Sequence, residues 1–236
     1  MVRLAAVLAV LAALAVYYAV SEDLPTFSEA GNVAVLGFVL MPAAFGLIGL
    51  ALPLRSQAAT VQLALAVLGL GVLTLALELL GLDVAANFSK LAAVAAAGWW
   101  FLVFFDAAWW VLLVSLLIVP VDIVSVARGP TREIVENQPH VFDALSIAFP
   151  VPGLHSSAQL GIPDVLFFAL FLGAADRFGL RTFWTWVAMT LSFGATLAGA
   201  IWLDAAGLPA LPLLSAAFVL VNADLLWRSL RSRERR

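Results

Sequence analysis

Residues 108–127 read AWWVLLVSLLIVPVDIVSVA, a run with a single ionisable side chain, Asp122. A helix needs about 20 predominantly apolar residues to cross a hydrocarbon layer. A water-facing helix keeps a polar stripe, and this run has none. The segment therefore reads as a membrane span. An aspartate inside it calls for a reason, because a carboxylate near the bilayer centre costs about 2.5–3.5 kcal/mol on insertion scales.

Working outward, seven more runs of the same kind lie at 4–20, 31–53, 58–82, 89–105, 161–180, 183–203 and 207–227. Pro, Gly and charged residues punctuate them. Glu22, Asp23 and Pro25 close the first, Pro53 and Arg55 the second, Gly81 and Asp83 the third, and Asp106 sits at a tight join between the fourth and fifth. The whole chain agrees with this reading. Its 236 residues are 64% hydrophobic and 11% charged, with a mean hydropathy of +1.07, against about 25% charged in a soluble domain. Lipid has to solvate much of the surface. The expectation is an all-α, polytopic transmembrane bundle of about 8–9 spans, forming one integral membrane domain over 1–236. The first run follows Met1-Val2-Arg3 as in a signal peptide, but lacks a small-x-small cleavage pattern and reads as a retained anchor.

One connection, 128–160, is long. It holds Pro130, Pro139, Pro150, Pro152 and Gly153 along with Arg128, Arg132, Glu133, Glu136 and Asp143. Loops of that length are usually functional or disordered. Within it, 141–151 is apolar enough to touch the bilayer but too short to cross. Eight spans place both termini on one side, with Arg3, Arg55, Arg177, Arg181, Arg228, Arg231, Arg233, Arg235 and Arg236. Lys90, Arg128 and Arg132 fall on the other. Nine cations against three favour cytoplasmic termini and an outward-facing long loop.

Of the carboxylates in or near spans, Glu78 reads as a bundle-facing polar contact, Asp224 as interfacial, and Asp106 and Asp204 as nearer the interfaces. Asp122 and Asp164 differ. Asp122 lies near the end of span 108–127 and Asp164 near the start of 161–180. At 1.5 Å per residue both sit roughly 5–8 Å inside the same membrane face. Consecutive antiparallel spans can bring them together. Two close carboxylates in a low-dielectric site share one proton, the state in which one takes a proton from water while the other polarises a carbonyl. Transport and simple packing are open to the same pair, and Pro163-Asp164 is also an ordinary helix start.

Three segments converge on one family. Val121-Asp122-Ile123-Val124-Ser125-Val126 is followed by Arg128-Gly129-Pro130 and Arg132-Glu133-Ile134-Val135-Glu136. Leu160-Gly161-Ile162-Pro163-Asp164 comes next, then Leu208-Pro209-Ala210-Leu211-Pro212. In order and span position the set resembles the presenilin and signal peptide peptidase family of intramembrane aspartyl proteases, in the presenilin-like form, over about 89–227. That family carries Tyr-Asp, Gly-x-Gly-Asp and Pro-Ala-Leu motifs in three of nine spans. Here Val121 stands for the tyrosine, Pro163 for the second glycine, and eight spans are counted.

The resemblance implies that Asp122 and Asp164 are catalytic, on spans 108–127 and 161–180 joined by loop 128–160. N-terminal spans would run over 4–105, C-terminal spans over 183–227, and a basic tail over 228–236. Gly161 would allow close backbone approach beside Asp164. Ile162 and Pro163, with Pro209, Ala210 and Leu211, would shape the site and hold substrate, and part of the long loop would pair with an unwound substrate as a strand. The substrates would be transmembrane helices or signal peptides; no metal or cofactor is required. The other readings of the same residues are an inactive relative that binds transmembrane helices, and a proton-coupled transporter.

Rival chemistries lack their residues. A zinc protease of the His-Glu-x-x-His type is excluded by the spacing of the two histidines, His140 and His155. His155-Ser156-Ser157 reads as a turn rather than a serine-protease nucleophile. With no cysteine, thiol and thiolate-metal chemistry are absent. Asn87-Phe88-Ser89 matches a glycosylation triplet but abuts a span. Trp99, Trp100, Trp109, Trp110, Trp184, Trp186 and Trp227 read as interfacial belts. No basic stripe or nucleotide loop points to nucleic acid; the terminal arginines fit topology and anionic lipid.

Overall fold

A computed structural model of the chain describes residues 2–128, 139–203 and 208–233. Arg132, Glu133, Glu136, Asp204 and the last arginines of the tail lie outside the described residues. The elements run α1 (Val2–Val20), α2 (Glu29–Gln57), α3 (Thr60–Leu79), α4 (Asp83–Leu102), α5 (Ala108–Arg128) and the short α6 (Pro139–Ala144). A hairpin of β1 (Ser146–Pro150) and β2 (Ser157–Gly161) follows, then α7 (Ile162–Arg177), α8 (Thr182–Trp202) and α9 (Leu211–Arg233). The chain is a helical bundle, and six helices (α1, α2, α3, α5, α8 and α9) are long and apolar enough to cross a membrane.

Two of the eight runs read as spans differ from the rest. α4 opens with Asp83, Asn87, Ser89 and Lys90 in its first turns. α7 has 16 residues, roughly 24 Å of helix, shorter than the ~30 Å hydrocarbon core. Both are interior helices. α7 packs against α2, α4, α5, α8 and α9, and every residue from Phe168 to Ala175 is buried. A helix wrapped by other helices has no need to match lipid in length or polarity. The outer helices carry the opposite signature: α3 exposes Leu65, Leu68, Val72 and Leu75, which only a lipid surface accommodates in a row.

Shape holds the interior together, since lipid tails are as apolar as leucine and supply little drive for helices to associate. Phe168 stacks on Phe45 at 4.2 Å and Phe171 on Phe218 at 4.8 Å, centroid to centroid, tying α7 to α2 and to α9. Such aromatic pairs contribute about 0.5–1.5 kcal/mol each beyond area burial. Gly98 lets α4 lie against α7 with almost no gap: a Cβ there would come 2.4 Å from the Leu166 carbonyl oxygen. At the end of the bundle away from the hairpin, Arg55 pairs with Asp176 at 2.8 Å and the Arg177 guanidinium donates to the Leu102 carbonyl at 2.8 Å. There too Arg181 forks onto Asp224, the residue read as interfacial.

Two expectations change. Segment 141–151, read as part of a long loop, forms the end of α6 and the strand β1, whose Ile147 and Phe149 are buried in the core while Val141 and Leu145 stay exposed. The fold therefore contains a two-stranded antiparallel sheet within the all-α bundle. Trp99 and Trp186 are not belt residues: Trp99 is buried against Gly173 and Trp186 donates to the Phe45 carbonyl at 3.0 Å. Trp100, Trp110, Trp184 and Trp227 remain exposed, as a belt requires. Overpacking a tight helix crossing costs about 1–3 kcal/mol. Gly98→Ala is expected to lower the thermal unfolding midpoint in detergent, whereas Gly46→Ala, with nothing within 4 Å of the new Cβ, leaves it unchanged or raises it. Equal midpoints would contradict the close α4–α7 contact.

Candidate active site

α5 rises toward the hairpin end of the bundle and places Asp122 in its last two turns. Pro120 lies inside this helix; it removes one backbone bond just before Asp122, a defect that neighbouring protein can absorb in a membrane. α5 leans chiefly on α9 and touches α7 less, so Asp122 meets the start of α9 first. The Leu211 N–H donates to Asp122 Oδ2 at 3.1 Å. Leu211 opens α9, and first-turn N–H groups have no partner within their own helix. An acceptor from another helix supplies one here. This gives a physical reason for Pro209-Ala210-Leu211 beside Asp122: the segment leads into α9, and the Leu211 N–H at its end faces the carboxylate.

Asp164 is held differently. α7 begins with Gly161 as its N-cap, in extended conformation at φ −61° and ψ 143°. Ile162 and Pro163 follow, and Asp164 is the third helical residue. From that position its carboxyl turns back toward Gly161. A Cβ on residue 161 would lie 3.2 Å from Asp164 Oδ2. Glycine is thus needed for space, not for an unusual φ. Pro163 sits in the first turn, where its missing N–H would have been an orphan and its fixed φ suits the helix. Proline at position 163 is thus compatible with the helix start that carries Asp164.

Asp122 accepts the Leu211 N–H and Asp164 shares a cavity with the adjacent Ala210, which places both carboxyls at the start of α9. Both residues are half-buried. Asp164 opens on a cavity of about 470 Å³ whose walls include Met41, Phe193 and Leu197, with Leu208 and Ala210 on one side and Gln159 and Leu160 of β2 on another. Glu29, at the start of α2, is also on its lining. Of the residues expected to shape a site, Gly161, Ala210 and Leu211 thus gather around the aspartates. Ile162 ties the helix start to the hairpin through its N–H to the Leu145 carbonyl, at 3.0 Å. Pro163 is exposed and Pro209 half-buried; neither makes a contact beyond its place in the turn.

The remaining polar residues fall into other roles. Glu78 pairs with Lys90 at 3.1 Å, and His155 is exposed beside Glu22. Asn87 is buried, with its amide hydrogen-bonded inside the protein, which closes it to glycosylation. Among the described residues no group of three His, Asp or Glu side chains could hold a metal ion. Sequence reasoning missed Met41, Phe193 and Leu197 on the cavity wall, since ordinary apolar residues carry no signal of which face they line. No known protein family's sequence profile matches the chain, and no curated protein matches it.

Replacing Pro163 by glycine tests the account of this helix start. Replacing a conformationally compatible proline costs about 0.4–1 kcal/mol through the unfolded chain. Pro163→Gly is expected to lower stability by that amount in denaturant titration. A gain in stability would mean that Pro163 strains the helix start.

Proposed function

We propose that the chain is an intramembrane aspartyl protease of presenilin-like type, with Asp122 and Asp164 as its catalytic pair, cutting peptide bonds within transmembrane helices. The observation that carries the reading is the placement of two carboxyls from different helices at the start of α9, Asp122 accepting the Leu211 N–H and Asp164 lining a cavity together with Ala210. Packing alone does not call for two carboxyls at one place, since each is costly at membrane depth.

The chemistry follows from that pair. One carboxylate takes a proton from a water molecule as the water oxygen adds to the scissile carbonyl carbon. The protonated partner delivers its proton to the carbonyl oxygen, giving a neutral tetrahedral diol. As the diol collapses, the C–N bond breaks and the nitrogen leaves with a proton from the first carboxyl. The second recovers a hydroxyl proton, and the pair is restored with one proton between them. One water molecule is consumed and no metal or cofactor takes part.

A helical substrate hides its carbonyls in intrahelical bonds, so a few residues have to unwind first. The hairpin offers them a place. Ala148 faces Gln159 across the ladder, and both backbone groups of Ala148 are bonded on the side away from β2. In an antiparallel pair the opposite residue then also points its N–H and C=O outward. Ser157 and Gly161 share that parity, and Gly161 lies directly beside the Asp164 carboxyl. An extended segment added along β2 would lead directly to the carboxyl pair.

The same reading takes α4 and α7 as spans shielded inside the bundle, eight in all. It places the basic end, with Arg55, Arg177, Arg181, Arg228 and Arg231, in the cytoplasm, and the hairpin on the opposite side, as in signal peptide peptidase. Asp122→Asn and Asp164→Asn are each expected to reduce cleavage of a reconstituted single-span substrate by at least about a thousandfold, since the members of a catalytic unit fail together. Gly161→Ala, which crowds Asp164, is expected to give a partial loss. Cleavage surviving in both asparagine variants would end the protease reading, and substrate binding without cleavage in the native protein would favour a helix-binding relative. Proton-coupled solute flux lost in both variants would favour transport.

A further inference from the structure

Among the described residues, the two edges of the hairpin are finished in opposite ways. The outer edge of β1 presents the N–H and carbonyl of Ser146 and of Ala148 and the carbonyl of Pro150. Each carbonyl is taken. Lys90 Nζ donates to Ser146 at 3.3 Å, Asn87 Nδ2 to Ala148 at 2.9 Å, and Tyr17 OH to Pro150 at 2.6 Å. Tyr18 OH adds a second bond to the Ala148 carbonyl at 2.5 Å. The Ala148 N–H donates to Asn87 Oδ1 at 2.9 Å, and Pro150 has no N–H to satisfy. Asn87 therefore pairs with Ala148 through both its amide oxygen and its amide nitrogen, as a neighbouring strand would.

We infer that Asn87 is a positioning residue that seals the outer edge of β1, so that β2, beside Asp164, is the edge left to receive an unwound substrate strand. The inference rests on the protease reading for its consequence, though not for the seal itself. An unpaired strand edge is a template for any extended chain, and a two-stranded hairpin with both edges open would admit substrate on either side. Only one side leads to the aspartates. The seal also anchors β1 to α1 and α4, and the ladder passes that position to β2, whose Gly161 lies beside Asp164. Asn87 touches neither carboxyl; its effect on cleavage runs through where the substrate backbone is set down.

Two variants separate this role from general stability. Asn87→Leu removes both halves of the pairing. Asn87→Asp keeps the oxygen acceptor for the Ala148 N–H and leaves the Ala148 carbonyl to Tyr18. Full-length protein in lipid nanodiscs would be followed by hydrogen–deuterium exchange over 145–161, and the products of a single-span substrate by mass spectrometry. The expected result for Asn87→Leu is exchange at Ala148 faster by roughly tenfold or more, with α4 and α7 still protected, and products scattered over neighbouring bonds instead of one main bond. Asn87→Asp is expected to keep both the protection and the native product pattern.

Unchanged exchange at Ala148 in Asn87→Leu would overturn the inference. So would slower cleavage at unchanged bonds, which marks a merely structural residue, or a loss of protection spread evenly over α4 and α7. A native protein that forms no product dependent on Asp122 and Asp164, with the local exchange change still present, would defeat the protease reading while upholding the sealed edge.

Discussion

A backbone N–H or C=O at membrane depth has no water to fall back on, and each one left unpaired in hydrocarbon costs several kcal/mol. Helices answer that demand internally except at their ends, and strands answer it only where another group lies alongside. The ends and edges in this protein are answered by particular side chains: Asp122 for the first N–H of α9, and Asn87, Tyr17, Tyr18 and Lys90 for the outer edge of β1. The same requirement that makes polar groups expensive in a bilayer brings two carboxylates and a strand to one end of the bundle.

The position of α7 turns these local solutions into a site. α7 is short and buried from Phe168 to Ala175, and its N-terminus starts directly from the hairpin, with Asp164 half-buried there. The hairpin that leads into it is drawn in behind it, with Ile147, Phe149 and Leu160 buried. The stacked rings of Phe45 with Phe168 and of Phe171 with Phe218 hold α7 in register with α2 and α9. α9 in turn brings Leu211 to Asp122. Asp122 belongs to the less embedded helix, since α5 exposes Leu116, Leu117, Val121 and Val124 to the surrounding lipid. One carboxyl thus stands on the rigid centre of the bundle and the other on a wall that a transmembrane helix can approach.

Much of this was legible in the sequence, and the limits have physical causes. The apolar runs and their breaks at Pro25, Gly81 and Asp83 mark the helices to within a few residues, because bilayer thickness leaves few ways to read a long run without charges. The shared end of Asp122 and Asp164 followed from their distances to the span ends. Gly161 was read as making room and does make room. The hairpin was not legible: Ser146–Pro150 is a short apolar run that composition cannot distinguish from a membrane-surface segment, and its strand form depends on partners about 60 residues away in Asn87 and 130 or more in Tyr17 and Tyr18. Asn87 carried a misleading signal, a glycosylation triplet, because a sequence pattern does not reveal that an amide is already engaged. Trp99 failed as a belt residue for a similar reason. Tryptophan at a helix end suits an interface, and the space beside Gly173 suited it better.

The central claim, that Asp122 and Asp164 act together on one peptide bond, is tested most directly by the structure of the protein in a lipid nanodisc with a bound peptide bearing a hydroxyl isostere of the tetrahedral intermediate. The account predicts that the hydroxyl lies between the two carboxyls, within about 3.2 Å of an oxygen of each, with the peptide backbone paired to the open edge of Ser157–Gly161. A peptide bound elsewhere, or carboxyls held apart by more than one bridging water when it is bound, would contradict it.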